Sequence, residues 1–343
     1  MLDRFIANVG GSGVIIKNGY LVKSWGSPAR KIDWASAAKP AMSTLLFHAV
    51  ASGRLTSVDD RIDPWWGGAL AQKDKPMTFR QLANMTSGYA RGEPPGAAWA
   101  YNDYAVQLYC DTLTRVYDGK TPAEMYDRLF AALQLQDGTL TGTRANCGIN
   151  ASPRDFARIG WLWLNKGRWN DVQVIPQTFF DTYQKPDVPG ALPRTALAGS
   201  DYLGVGTVGG HSDMADYGPG IYGFNWWFNA PVGGDGNPTW PDAAADTYQA
   251  NGHWNVEVMT IIPSMRMVVA ARGDWGTFVP GDAAAGMNAN LALLKDAGAA
   301  AQAPHLRPDR FSIVTRSPLQ VRTGLLHRSA GRATIRATPQ NRI

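Results

Sequence analysis

Cysteine is almost missing from this chain: Cys110 and Cys147 are the only two in 343 residues. Two cysteines cannot build a disulfide framework or a cysteine-rich zinc site. They can close one bridge at most, and two reduced, buried thiols are the expectation. Charge is also sparse, at 18% of residues, which excludes the compositions typical of disorder and coiled coils. No apolar run approaches the ~20 residues that a membrane helix needs. The opening residues "MLDRFIANVGGSGVIIKNG" lack the charged-then-apolar profile of a signal peptide. Localisation therefore stays open: cytoplasmic by default, periplasmic or secreted if a segment precedes. What is abundant is core material. The chain is 45% hydrophobic with 13 Trp, enough for one large domain or two ordinary ones.

The net charge of +5 is unevenly spread. Residues 302–343 hold eight Arg and one acid, Asp309, while the other residues carry 25 basic and 27 acidic side chains. The basic character belongs to the tail. Arg interspersed with Ser, Thr, Gly and Pro reads as a solvated, poorly ordered extension rather than a nucleic-acid arm.

Along the body, "GVIIKNGYLVKSWG" places Asn18-Gly19 between two apolar runs, a strong hairpin signal. The segments "TFRQLANMTSGY", "YAVQLYCDTLTRVYD", "TPAEMYDRLFAALQL" and "SPRDFARIGWLWLNKGRW" read as helices. In the last, Ser152-Pro153 followed by Asp155 forms a helix-start signal. Residues 184–220 are rich in Pro and Gly without periodicity, as in a lid or pocket wall. "NVEVMTII" and "MRMVVAARG" read as a strand hairpin, and "GDAAAGMNANLALLKDAGAAAQA" as a terminal helix. Strands thus lie at both ends of the body, with a helical insertion at about 60–225.

One stretch carries chemistry. In "DWASAAKPAM" Ser36 and Lys39 stand three apart, and Pro40 follows at once. Proline is tolerated only in the first turn of a helix, so the helix starts at about Ser36 or Ala37. Ser36 then lies at the positive end of the helix dipole, and Lys39 lies on the same side. Both flank the apolar stripe of Met42, Leu46 and Val50. Partial burial and the dipole are expected to lower the lysine pKa, so that the amine can take the serine proton. Ser-x-x-Lys alone arises by chance about once in a chain this long; context must raise it.

The context is an ordered series. "DWASAAKPAMSTLLFHAVASGRLTSVDDRI", "MTFRQLANMTSGY", "PPGAAWAYNDYAVQL", "GINASPRDFARIGWLWLNKGRWNDVQVIP", "YGFNWWFN" and "NGHWNVEVMTIIPSMRMVVAARG" together resemble the serine β-lactamase and penicillin-binding-protein superfamily, in its class C β-lactamase and esterase branch. The likeness runs from about residue 12 to 298 and leaves out the tail. It implies a β-lactamase-like α+β fold: one catalytic domain over residues 1–301, an antiparallel sheet flanked by helices. It implies Ser36 as the acylated nucleophile, Lys39 and Tyr101 sharing its proton, and the backbone N–H groups of Ser36 and Val256 as the oxyanion hole. Asp103, His253, Trp254 and Asn255 fall at substrate-binding positions. No cofactor, metal, nucleic acid or membrane span is implied, only a small ester or amide, and oligomeric state stays open.

Each residue also has a plainer reading. Asp103 serves equally as a helix N-cap, His253 as a strand histidine, and Trp99, Trp226, Trp227 and Trp254 as core. Two departures bear on substrate. "HWN" puts Trp254 and Asn255 where the branch has glycine, with His253 in place of a permanently cationic lysine, and Asp103 replaces an asparagine. Both disfavour anionic β-lactams and peptidoglycan termini and favour a neutral or cationic ester or amide. The expected activity is carboxylester hydrolysis through an acyl-enzyme. Amidase or D-peptidase activity on linear amides is the alternative enzyme, and a non-catalytic acyl- or peptide-binding relative the alternative of another class.

Overall fold

Asn18 and Gly19 take up φ of 53° and 82°, the mirror-image turn whose twist matches antiparallel strands. They join β1 (Ser12–Lys17) to β2 (Tyr20–Trp25). The computed structural model describes residues 1–142, 145–207, 217–234 and 236–300; the Arg-rich tail lies outside them. Two minor sheets follow in sequence. One contains β3 (Ile32–Asp33), β4 (Thr141–Gly142) and β5 (Ile149–Ala151), and the other is the hairpin of β6 (Arg168–Trp169) and β7 (Val172–Gln173).

The main sheet is completed by β8 (Tyr222–Gly223), β9 (Trp226–Phe228), β10 (Tyr248–Gly252), β11 (Glu257–Ile262) and β12 (Met267–Arg272). Its order is β2-β1-β12-β11-β10-β9-β8, antiparallel throughout. The N-terminal hairpin therefore docks beside the C-terminal strands, with Ile15 opposite Val269 and Ile16 opposite Val268. "YGFNWWFN" is a hairpin: Phe224 and Asn225 turn it with φ of 45° and 70°. Asn225 is held there by its N–H to Ala83 O and by Ser43 Oγ, which donates to its Oδ1 at 2.8 Å.

Eight α-helices are described: α1 (Leu2–Val9), α2 (Lys39–Ala51), α3 (Phe79–Ala83), α4 (Asp103–Val116), α5 (Pro122–Leu129), α6 (Pro153–Leu164), α7 (Gln177–Tyr183) and α8 (Gly286–Ala300). The first was not expected. It ends at Gly10 and buries Phe5, whose ring meets Trp25 and Trp275 edge-on, with centroids 6.3 and 5.3 Å away. Helix α6 departs from the expected insertion by returning to the sheet, where it packs on β1, β11 and β12. Gly160 allows that approach: a Cβ there would stand 2.3 Å from Met259 Sδ and 2.8 Å from Val268 Cγ1.

The two cysteines are not free thiols. Cys110 of α4 and Cys147 form a disulfide, both buried, 37 residues apart with Cα atoms 5.5 Å apart. Asn146 and Cys147 adopt left-handed φ of 52° and 49°, which turns the chain back onto α4. Spacing alone carries no trace of that reversal.

Candidate active site

The turn that presents Ser36 begins with Asp33, whose carboxylate accepts the Ala35 N–H at 2.9 Å. Ala35 sits at φ 45°, and a 3-10 turn over Ala35–Ala38 follows before the α-helix proper starts at Lys39. In a three-residue turn, positions i and i+3 eclipse. Lys39 is thereby brought over Ser36, and its Nζ donates to Ser36 Oγ at 2.5 Å. Helix α2 is buried on nearly every side, not along one stripe: Ser43 and Thr44 are as enclosed as Leu45 and Leu46. Thr44 Oγ1 donates to Pro40 O and accepts from Trp163 Nε1.

Lys39 is 3% exposed. Asp103 Oδ1 lies 3.4 Å from its Nζ, and the Tyr101 ring centroid 5.0 Å away. Burial alone pushes the ammonium down, but the charges of Tyr101 and Asp103 outweigh it and hold the lysine above its ordinary value. The expected lowering is thus reversed, because the lysine gains a buried counter-charge as well as losing solvent. Asp103 does not cap its helix. Asn102 does, with Oδ1 accepting from Tyr104 N and Ala105 N, which leaves the Asp103 carboxylate free to face Lys39. Asp103 is 4% exposed, and its Oδ1 is enclosed without a hydrogen-bond donor among the described residues. Tyr101, 6% exposed, stacks on Trp227 with centroids 6.0 Å apart and an interplanar angle of 24°.

The opposite wall is the end of β10. Gly252 lies against the serine turn so closely that a Cβ would stand 2.8 Å from Trp34 O, 3.0 Å from Ala37 N and 3.2 Å from Ser36 N. Glycine is therefore present where the backbone needs it, one residue before His253 rather than after. The "HWN" triplet is not strand. His253, Trp254 and Asn255 form the turn between β10 and β11, all at positive φ of 39°, 48° and 75°. Val256 cannot supply the expected oxyanion donor, since its N–H is given to Gly252 O at 3.1 Å to close that turn. Ser36 N lies in the first turn of its helical segment, where N–H groups lack intrahelical partners.

These residues line one cleft of about 590 Å³. Ser36, Lys39, Tyr101 and Asp103 lie on it together with His253, Trp254 and Asn255. Trp254 is 76% exposed at the mouth, whereas Trp99 and Trp226 are core. Sequence reasoning missed Asn146, Tyr217 and Phe278, which also line the cleft. Asn146 arrives through the disulfide loop and Tyr217 from the Pro/Gly-rich segment. It missed Glu257 as well, buried behind His253 and accepting from its Nδ1 at 2.8 Å. Among the described residues no three His, Cys, Asp or Glu side chains gather as a metal ion requires. The arrangement offers a serine hydroxyl, a cation beside it and an aromatic hydroxyl in a partly closed cavity, the elements of acyl transfer.

A family model described as Beta-lactamase matches residues 4–272. No curated protein matches the sequence. Among solved structures, the fold is similar to a putative 6-aminohexanoate-dimer hydrolase from Bacillus anthracis (16% identity, 89% of this chain and 83% of that one, TM-score 0.61). It is also similar to a putative β-lactamase from Bacteroides dorei (17%, 86% and 96%, TM-score 0.58) and to a class C β-lactamase from Rhodobacter sphaeroides (17%, 85% and 97%, TM-score 0.55).

Proposed function

This chain belongs to the β-lactamase family of serine hydrolases, and from that premise we propose that it hydrolyses a small neutral or cationic ester through an acyl-enzyme on Ser36. The observation that carries the reading is the contact of Lys39 Nζ with Ser36 Oγ at 2.5 Å, inside a cleft that Tyr101 also lines. Tyr101 and Asp103 together keep Lys39 as an ammonium, so the amine is not the resting base. Tyr101 reacts as the phenolate that the adjacent ammonium stabilises: it accepts the Ser36 proton and becomes a neutral phenol. Ser36 Oγ then attacks the carbonyl carbon. The Ser36 N–H donates to the oxyanion, a contribution of about 3 kcal/mol to the barrier. Tyr101 returns the proton to the departing alcohol.

Charge selects the substrate. The positive charge of Lys39 is already opposed by Asp103, and Asp33 adds a second carboxylate to the cleft lining. Among the described residues that line the cleft, a carboxylate-bearing ligand meets no surplus cation. One observation favours linear amides as a second reading: an ammonium 2.5 Å from Ser36 Oγ is placed to protonate a leaving nitrogen. A fluorophosphonate probe on wild type and Ser36→Ala, followed by an ester, amide and β-lactam panel with mass detection of the adduct, tests both. Labelling lost with Ser36 and turnover of p-nitrophenyl esters above that of β-lactams are expected. Equal turnover of the two classes would refute the charge argument, and an unlabelled folded wild type the enzyme.

A further inference from the structure

His253 stands on the wall of the cleft, with 56% of its side chain exposed, and its Nδ1 lies 2.8 Å from Glu257 Oε2. Glu257 is 1% exposed, and its other oxygen accepts from Arg272 Nε at 3.0 Å. A carboxylate can only accept, so the shared proton resides on Nδ1, and Nε2 is the ring nitrogen left to accept from a water. A buried carboxylate fixing the tautomer of a solvent-facing histidine is the arrangement that prepares a general base.

The backbone is held to the same end. Three successive non-glycine residues at positive φ are strained by about 1–2 kcal/mol each. Asn251 Nδ2 donates to Asn255 Oδ1 at 2.8 Å and Asn255 Nδ2 to Gly276 O at 3.2 Å, which fastens the turn that carries His253. Such strain persists where surrounding contacts over-determine it and clusters at functional sites. The cleft is thus asymmetric. Lys39 and Tyr101 are enclosed, at 3% and 6% exposure, whereas His253 meets solvent. Acylation needs the enclosed pair; releasing the acyl group needs a base where water enters.

We infer that His253 is the general base for deacylation and that Glu257 is its positioning residue; this rests on the acyl-enzyme reading above. His253 Nε2 takes one proton from a water whose oxygen bonds to the acyl carbonyl carbon. The tetrahedral intermediate breaks the bond to Ser36 Oγ, which takes a proton from the Lys39 ammonium 2.5 Å away, and Lys39 is re-protonated from solvent. The acid leaves, and His253 gives its proton to solvent. Among the described residues, the charged and titratable groups around the imidazole are Glu257 on β11, with Arg272 of β12 behind it, and Asp33, Lys39, Tyr101, Asp103 and Tyr217 lining the same cleft.

The test uses full-length wild type, His253→Ala, Glu257→Gln and Glu257→Asp with p-nitrophenyl acetate. The first release of nitrophenol reports acylation, and intact mass reports decay of the Ser36 adduct. The expected result for His253→Ala is acylation close to wild type and adduct decay slowed by about 10²-fold or more, with added imidazole restoring decay. Glu257→Gln slows the same step, lowering kcat and KM together and leaving kcat/KM near wild type, and Glu257→Asp recovers part of the rate. Acylation and decay falling together, unchanged decay, or no response to imidazole overturns the inference. A folded wild type that forms no Ser36 adduct fails the underlying reading instead, a distinct outcome. His253 is an exposed side chain, so its variant keeps the test open should Glu257→Gln misfold.

Discussion

Lys39 is a buried ammonium whose charge state is decided by one carboxylate and one phenol. Because Tyr101 and Asp103 together hold its folded-state pKa above the ordinary 10.5, the linked stabilisation is complete below that pH. It is lost as pH climbs through the folded-state value. Wild-type stability should therefore hold level up to about pH 10 and fall beyond 10.5, as followed by chemical denaturation across pH. Asp103→Asn leaves the ammonium without its counter-charge. Removing one partner of a buried ion pair costs about 3–5 kcal/mol, and the unpaired amine then titrates lower, so the activity profile should shift on its alkaline side. Unchanged stability in Asp103→Asn would mean that the 3.4 Å contact carries no interaction. At this scale Ser36 and Lys39 were legible because a fixed spacing and a proline constrain both. Asp103 was ambiguous because Asn102 and Asp103 both cap helices well, and only the fold shows which carboxylate or amide turns inward. Glu257 was invisible: its tie to His253 spans a strained turn that no local pattern announces.

Among the elements, the pressing of β10 on the serine turn is the contact with the sharpest consequence. Gly252→Ala puts a methyl 2.8 Å from Trp34 O, and neither backbone can yield without moving Ser36. A displacement near 1 Å in such a site costs about 10²-fold in turnover, so kcat/KM for the preferred ester should drop by that order. Gly160→Ala is the control. Its methyl meets Met259 Sδ and Val268 Cγ1 on the α6 face of the sheet, remote from the cleft. Overpacking of about 1–3 kcal/mol should lower Tm while the catalytic constants stay near wild type. If both variants lose turnover alike, the serine turn is not specially sensitive. The elements most legible in sequence were those with a local reason: the Asn18-Gly19 hairpin and the helix start at Pro40. Helix α1 was missed because eight residues at a chain end give too few turns to read a period. The end of β10 was misplaced because "GHWN" contains one glycine, and three left-handed residues after it are held by tertiary contacts, not by their own preferences.

For the molecule as a whole, the ends of the body meet in one sheet while its middle is locked by the Cys110–Cys147 bridge. The sheet was legible only as strands at both ends; that β1 inserts between β2 and β12 follows from burying Val14, Ile15 and Ile16 against the C-terminal strands, a long-range choice. The bridge was not legible, since two cysteines 37 residues apart fit a disulfide and two thiols equally well. Its position gives it two roles that can be separated. It shortens the unfolded chain's freedom across 37 residues, worth about 2–4 kcal/mol. It also ties the Ala145–Gly148 loop, part of the cleft wall, to the helix that begins at Asp103. Replacing Cys110 and Cys147 together with alanine should lower the unfolding free energy by that amount. It should also raise KM more than it lowers kcat, because Ser36, Lys39 and Tyr101 are held by other elements while Asn146 is released. Denaturant titration and steady-state kinetics on the double variant check both halves. A loss of kcat without a change in KM would show that the bridge steadies the reacting groups rather than the wall that binds substrate.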